Sequence, residues 1–351
     1  MGDNKSFEPE CPLPTFEKKT VQLAHGGGGR LMQELIRDVF VRAFDNPMLA
    51  QLHDGATWPV AEGTLAFTTD SYVVSPLFFP GGNIGSLAVH GTVNDLAMCG
   101  AMPLYLSAGF ILEEGLSLDM LRKVVQSMAK AAEGAGVQVV TGDTKVVDRG
   151  KGDGIFINTA GIGVVPPGVR IGPQEVKVGD RILLSGDLGA HGLAVMSVRE
   201  GLRFTGEIES DSAPLHQVVR DLLECGASVH CLRDLTRGGL ASALNELAAG
   251  AKVGMTIEEH LIPVRESVRG ACELLGLDPL YVANEGRFVA FVPDAHAEAA
   301  LAAMRRHAVA QQAVQIGTVT MEHPSLVVLR TVLGTHRILD LLSGEQLPRI
   351  C

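Results

Sequence analysis

Hydrophobic positions first recur at helical spacing in residues 31–44, where Leu31, Leu35, Ile36, Val39, Phe40 and Ala43 share one face and predict an amphipathic helix. A strand is expected at residues 65–70 (LAFTTD), then a helix of small residues around 85–99, and a further helix from 117 to about 133, closed by Gly134 and Gly136. Residues 137–140 and 155–165 are rich in β-branched side chains and bounded by glycine, which predicts strands.

The run from Pro166-Pro167-Gly168 to Gly172-Pro173 breaks the pattern, because proline cannot join a central ladder and glycine favours turns. Beyond it a strand is expected at 181–185, with helices near 192–199, 214–224 and 239–249. Strands at 253–257, 288–292 and 313–319 then alternate with helices at 264–275 and 296–306. Two halves of alternating strands and helices predict mixed α/β or α+β layers rather than a helical bundle, without a short-period repeat. The expected division is an N-terminal extension 1–20, a first domain 21–168, a second α/β domain 174–342 and a C-terminal tail 343–351.

Composition narrows the class. The 351 residues suit about two domains, and 46% hydrophobic with 20% charged residues excludes a disordered or low-complexity chain. Mean hydropathy is +0.22, yet no apolar run approaches the roughly 18 to 20 residues needed to span a bilayer, so a soluble protein is expected. A net charge of −11 sets the long-range field against nucleic acid and anionic membranes, and neither is expected as a partner. Any phosphate-bearing ligand must therefore be held by local groups. Residues 1–20 are polar and carry Pro9, Pro12 and Pro14, unlike a secretory signal. The six cysteines, Cys11, Cys99, Cys225, Cys231, Cys272 and Cys351, form no Cys-x-x-Cys pair or zinc spacing, which fits free thiols in a reducing cytoplasm.

Five segments can carry chemistry. His25-Gly26-Gly27-Gly28-Gly29-Arg30 runs into the first helix, so its backbone can approach an anion closely at a helix start; a flexible hinge would have the same sequence. It is not a Walker A loop. Asp70, Asp95, Asp143 and Asp234 lie beside small residues, as Mg²⁺ requires of oxygen ligands, although each alone also suits a cap or turn. Asp95 is the most telling, because it interrupts an apolar stretch where an unmatched carboxylate is costly.

Thr141-Gly142-Asp143-Thr144-Lys145 reads as a glycine turn at a strand's end that offers a metal ligand, a hydroxyl and a phosphate-facing cation, or else as a solvated turn. Asp234-Leu235-Thr236-Arg237-Gly238-Gly239 repeats that arrangement before a helix. Glu285, in Asn284-Glu285-Gly286-Arg287, is either a general base or half of a surface Glu–Arg pair.

The chain ends in Cys351. No C-a-a-X box exists, which excludes prenylation. Extended, residues 343–351 reach about 30 Å, enough to carry the thiol into a pocket and withdraw it; an incidental terminal cysteine is the alternative. The neighbouring α-carboxylate disfavours a thiolate, and Arg349 opposes that in part. The other cysteines read as structural, and His90 and His191 as packed helix residues without a partner motif.

Together, QLAHGGGGR (22–30), TTDSYVVSPLFFPGGNIG (68–85), NDLAMCGAMP (94–103), TGDTKVV (141–147), RDLTRGGLA (233–241), NEGR (284–287) and the terminal PRIC (348–351) resemble the HypE-type hydrogenase maturation proteins. These are carbamoyl dehydratases of the superfamily of aminoimidazole ribonucleotide synthetase, selenophosphate synthetase and thiamine-monophosphate kinase. The resemblance implies a two-domain α+β, PurM-like fold that forms a homodimer through its N-terminal halves and binds ATP with Mg²⁺ in a cleft. It implies that a HypF-type carbamoyltransferase loads Cys351, that phosphorylation and loss of phosphate leave a thiocyanate, and that the cyanide passes to iron on a HypC–HypD complex for the [NiFe]-hydrogenase centre.

By the same resemblance Glu285 is the base with Lys145 beside it, and Asp70, Asp95, Asp143 and Asp234 hold the metal. The nucleotide falls to His25, Gly26, Gly27, Gly28, Gly29, Asn94, Thr144 and Arg237. Two departures stand out: residues 1–20 are a longer extension than the family implies, and Gly27 replaces a common serine. A small-molecule kinase of the same superfamily and a non-catalytic carrier are the rival readings.

Overall fold

The computed structural model describes residues 29–37, 49–60, 63–202, 206, 208–342, 347 and 349–351. The 1–20 extension, Cys11, His25 to Gly28, the expected first helix beyond residue 37 and most of the tail lie outside the described residues. What is described of that helix is α1 (Arg30–Leu35).

The first half is a five-stranded sheet of β1 (Ala56–Val60), β2 (Gly63–Tyr72), β3 (Met102–Glu113), β4 (Gln138–Val147) and β5 (Ile155–Val165), in the order β1-β2-β5-β3-β4. All pairings are antiparallel except β3 with β4. α2 (Ile84–Met98) and α3 (Leu118–Ala135) belong to the same half, and α2 packs on β2 and β5. α2 is buried almost all round, which explains its small, apolar sequence. Asn83 caps it, accepting from the N–H groups of Gly85 and Ser86 while Ser86 Oγ accepts from Asn83 N, a reciprocal capping box. α3 is amphipathic and ends on Gly136 in the left-handed region (φ 67°), which glycine adopts without strain.

The expected turn at 141–145 is instead the middle of β4. Gly142 was read as a turn residue, but a Cβ there would collide with the Ala108 carbonyl of β3, so glycine marks a close approach between strands. Asp70 likewise lies within β2, and β3, for which no strand was expected, is the strand between β5 and β4.

The second half is a seven-stranded sheet of β6 (Asp180–Leu184), β7 (Cys231–Asp234), β8 (Gly254–Glu258), β9 (Phe288–Pro293), β10 (Val314–Thr320), β11 (Val327–Arg330) and β12 (His336–Ile338), ordered β12-β11-β8-β10-β6-β9-β7. α4 (Ala190–Arg199), α5 (His216–Glu224), α6 (Gly239–Ala251), α7 (Glu266–Leu275) and α8 (Ala297–Met304) fall within a few residues of the expected helices. One core cluster joins Tyr72, Ile84 and Val93 of the first half to Leu193, Val268 and Val282 of the second, and takes in Leu347 and Ile350 of the tail.

The α2–β2 contact is tight enough to test. A Cβ at Gly91 would collide with the Tyr72 hydroxyl, and Tyr72 is itself buried in the core. Gly91→Ala is expected to destabilise the protein by about 1–3 kcal/mol through overpacking, lowering Tm by at least about 2 °C in thermal unfolding; an unchanged Tm would show that the helix shifts freely on the sheet.

Candidate functional site

Three carboxylates from distant parts of the sequence meet between the halves. Asp54 precedes β1, Asp95 projects from α2, and Asp234 ends β7; their oxygens lie within 4.8 Å of one another. Asp70 of β2 is close enough to raise the proton affinity of both Asp95 and Asp234. Burial first, and next repulsion from Asp234 at Asp95 and from Asp54 at Asp234, push both pKa values well above the ordinary aspartate value. Asp54 goes the other way: burial raises it, but the Arg233 guanidinium at 3.0 Å and His53 outweigh burial and hold it low.

Thr68 Oγ1 lies 3.0 Å from the Asp54 carbonyl and donates to Asp95 Oδ2 at 2.8 Å, a bond that opposes the upward shift of Asp95 without overcoming burial and the neighbouring charges. Such a set of oxygens, with negative charge beyond what Arg233 offsets, has the chemistry to hold a hard divalent cation.

Glu285 lies in the same recess, 3% exposed, and its Oε1 has no hydrogen-bond partner among the described residues. Burial, then Asp234, Asp70 and Asp211, push its pKa well up, opposed by Arg237. Its main chain is pinned from three sides. Glu285 N donates to Asp211 Oδ1 at 3.2 Å, Gly286 N donates to Asp211 Oδ2 at 3.1 Å, and the Glu285 carbonyl accepts from Asn94 Nδ2 at 3.2 Å. The surface Glu–Arg pair is thereby excluded, because Arg287 binds Asp187 at 2.6 Å instead.

The tail enters this recess. The Val73 and Ser75 N–H groups donate to the carbonyls of Cys351 (2.9 Å) and Arg349 (3.1 Å), so the last residues run antiparallel beside the segment that follows β2. Ile350 is 4% exposed, and Arg349 pairs with Asp153. The Cys351 thiol is pushed up to about 12 by burial, with Arg237 opposing and Glu285, Asp70 and Asp234 reinforcing. The local charge expected to govern this thiol, Arg349 against the α-carboxylate, is replaced by burial and by Arg237. Arg237 in turn has its pKa raised, foremost by the charge at Cys351.

Not every expected site residue gathers here. Asp70, Asp95, Asp234, Arg237, Glu285 and Cys351 do. Asn94, expected at the nucleotide, spends both amide protons on the carbonyls of Ala213 and Glu285 and accepts from Leu215 N, so it joins the halves. Gly29 packs under the root of the tail, where a Cβ would lie 2.6 Å from the Leu342 carbonyl; His25, Gly26, Gly27 and Gly28 lie outside the described residues.

Asp143, Thr144 and Lys145 are exposed on edge strand β4, where Lys145 pairs with Asp143 at 3.1 Å. Asp143 lies in register with Gly109, Asn158 and Ser71 across three strand spacings, about 14 Å from β2. One chain therefore brings neither Asp143 to the carboxylate cluster nor Lys145 to Glu285.

Sequence reasoning passed over Asp54 and Asp211, and took His191 for a packed helix residue. Asp54 stands in a His-Asp-Gly run that resembles any turn, and Asp211 in a polar Ser-Asp-Ser loop. Their only available signal was an acidic residue beside glycine or serine at an element boundary.

Comparison with known proteins bears on this geometry. Residues 52–165 match the AIR synthase related protein N-terminal domain, and residues 177–329 the C-terminal domain. The chain is 56% identical over 332 residues to the carbamoyl dehydratase HypE of Azotobacter vinelandii, covering 95% of this chain and 97% of that protein. It is 50% identical over 339 residues to HypE of Escherichia coli K12, covering 94% and 99%. The chain belongs to the HypE carbamoyl dehydratase family.

Solved structures agree. HypE in complex with ATP superposes with a TM-score of 0.80 at 52% identity, covering 95% of this chain and 100% of that one. The HypE–HypF complex superposes at 0.84 and 48% identity, covering 88% and 99%. A thiamine monophosphate kinase from Aquifex aeolicus shares the fold alone, at 0.62 and 18% identity. Members of this family are enzymes, and the two-domain PurM-like α+β fold that the motifs implied is the one observed.

The raised pKa of Asp95 gives a stability prediction. A carboxyl whose folded pKa is raised stabilises the fold while protonated, and that contribution is lost as pH rises through the raised value. Asp95→Asn, uncharged at every pH, is therefore expected to raise Tm at neutral pH without divalent cations by about 2–4 °C, with the gain shrinking towards the ordinary aspartate range. A lower Tm at neutral pH would refute the raised proton affinity of Asp95.

Proposed function

We propose that the chain uses ATP to dehydrate an S-carbamoyl group carried on its own Cys351, leaving an S-thiocyanate as the cyanide source for [NiFe]-hydrogenase iron. The single observation that carries this reading is the tail itself, seated with Cys351 among Arg237, Glu285, Asp70 and Asp234. A relative solved with ATP and another solved with HypF support the nucleotide and the HypF-type carbamoyltransferase as partner.

The chemistry follows from the leaving group. An amide oxygen is expelled poorly, so it must first be phosphorylated: it takes the γ-phosphoryl of ATP and later departs as phosphate, while both amide protons are lost and the C–N bond becomes triple. Mg²⁺ supplies charge neutralisation for the phosphates when bound. Asp54, Asp95 and Asp234, with the half-buried Asp70 beside them, are the residues whose closely set carboxylates fit it. Arg237 faces the tail as a fixed cation. Glu285, whose proton affinity burial has raised, takes the amide protons, a direction of shift that suits a general base.

A homodimer completes the site. The outer face of the first sheet exposes Phe67, Tyr105, Ile162 and Val164, an apolar surface rarely left open on a monomer. Asp143 shares a register row with the exposed Ser71 and Asn158. Pairing two such faces offers each copy's Asp143, Thr144 and Lys145 to its partner, where Lys145 stands beside Glu285. The buried free thiols Cys99, Cys231 and Cys272 favour the cytoplasm, and among the described residues no helix is long and apolar enough to cross a membrane. A HypC–HypD complex is the proposed iron-bearing acceptor.

Mass spectrometry of the C-terminal peptide after carbamoyl loading tests the reaction: loss of one water that depends on Mg-ATP is expected. A group that loads without dehydrating would favour the carrier, and a tail deletion that still turned over a small substrate would favour the kinase. Glu285→Gln should keep nucleotide binding and slow dehydration by at least about 100-fold. In the unsubstituted enzyme the rate should fall as pH drops through the raised Glu285 pKa. Ile162→Glu should give a monomer by light scattering and remove dehydration; a monomeric unsubstituted protein at micromolar concentration would overturn the shared site.

A further inference from the structure

His191 was expected to be an ordinary packed helix residue. It stands in the first turn of α4, fully buried, and its two ring nitrogens have different partners. Nε2 lies 2.6 Å from the Ile350 carbonyl, and Nδ1 lies 2.8 Å from Ser210 Oγ. A carbonyl oxygen can only accept, so Nε2 carries the proton. Burial lowers the pKa of the ring, outweighing Asp211 and the Ile350 bond, so the imidazole is neutral and Nδ1 accepts. Ser210 Oγ donates to Nδ1 and accepts from Ser212 N at 3.1 Å. Every donor and acceptor in the series Ser212, Ser210, His191, Ile350 is thus assigned. The Phe79 ring, edge-on at 5.3 Å, fixes the imidazole plane.

The same loop reaches the proposed base. Asp211, next to Ser210, holds the N–H groups of Glu285 and Gly286. Arg199, at the other end of α4, donates to the Arg349 and Ser75 carbonyls, so two α4 side chains, Arg199 and His191, grip the successive carbonyls of Arg349 and Ile350.

We infer that His191 is a positioning residue that seats the C-terminal tail by donating to the Ile350 carbonyl, with Ser210 setting its tautomer and the Ser210–Asp211 loop tying the seated tail to the backbone of Glu285. The inference deepens the proposed function, because seating is what brings a group on Cys351 to the base. Its first test, however, needs neither carbamoyl loading nor nucleotide.

Alkylation of Cys351 by iodoacetamide in the unmodified full-length protein, resolved by peptide mass spectrometry, reports how often the tail leaves its seat. His191→Phe, which removes the donor, should speed alkylation by about 10-fold, the upper range for one lost hydrogen bond. His191→Gln, whose amide nitrogen can replace Nε2, should stay within about 3-fold of the original. Ser210→Ala should shift the rate in the same direction as His191→Phe.

On loaded protein, His191→Phe should slow single-turnover dehydration while nucleotide affinity holds, and His191→Gln should restore the rate. An unchanged alkylation rate in folded His191→Phe overturns the inference; if that variant does not fold, an unchanged rate in Ser210→Ala does so. Failure of the original protein to dehydrate would sink the proposed function alone, since the alkylation pattern would still decide the seat.

Discussion

The recess between the two halves holds more negative charge than the described residues around it neutralise. Asp54, Asp70, Asp95, Asp234 and Glu285 converge there against Arg233 and Arg237, and burial makes each unbalanced charge expensive. The fold tolerates the arrangement by raising the proton affinity of Asp95, Asp234 and Glu285 and by binding Asp54 to Arg233. Stability given up at a site is a sign that the site awaits a ligand, and a cation with a polyphosphate is the ligand that offsets this imbalance.

That constraint explains why the site cannot belong to one half. Asp70 and Asp95 come from the first sheet and its buried helix, Asp234 and Glu285 from two neighbouring strand ends of the second sheet, and the tail crosses back to lie beside the segment that follows β2. Asn94 closes the joint, bonding the Glu285 carbonyl from α2. A core cluster shared by both halves makes the recess a rigid product of the whole fold. The tail is the exception: it is held mostly by main-chain bonds and two buried side chains, an attachment weak enough to be reversed.

Much of this was legible in the sequence. Periodicity located the helices of the second half and the strand at 155–165, because apolar faces directed at one core leave a regular pattern. The carboxylates Asp70, Asp95 and Asp234 were legible as acids in apolar or glycine-flanked company. Asp54 was not, since its role arises from a contact with Arg233 far along the chain. Residues 141–145 misled for a physical reason: glycine signals a turn locally, whereas Gly142 is needed because β3 passes too close for a side chain. β3 itself was hidden by Pro103 and Gly109, the former at a register shift in its pairing with β5. Nothing in the sequence near His191 indicated that its partner would be the carbonyl before the last residue.

The electrostatics of the seat also bear on which bond breaks. A group carried on Cys351 can lose its oxygen or be released from sulfur by breaking its C–S bond, and a thiolate leaves more readily the lower its pKa. Burial beside Glu285, Asp70 and Asp234 pushes the Cys351 thiol up to about 12, which opposes thiolate departure for as long as the tail is seated. Phosphorylation makes the oxygen the better leaving group in the same place. Once the tail is withdrawn into water the thiol returns to its ordinary acidity, and the carbon–sulfur bond becomes the easier one to open. One buried, acidic recess thus directs chemistry to the C–O bond inside and leaves transfer from sulfur to the outside, which a cysteine on a reversibly seated tail can reach and a cysteine fixed in the core cannot.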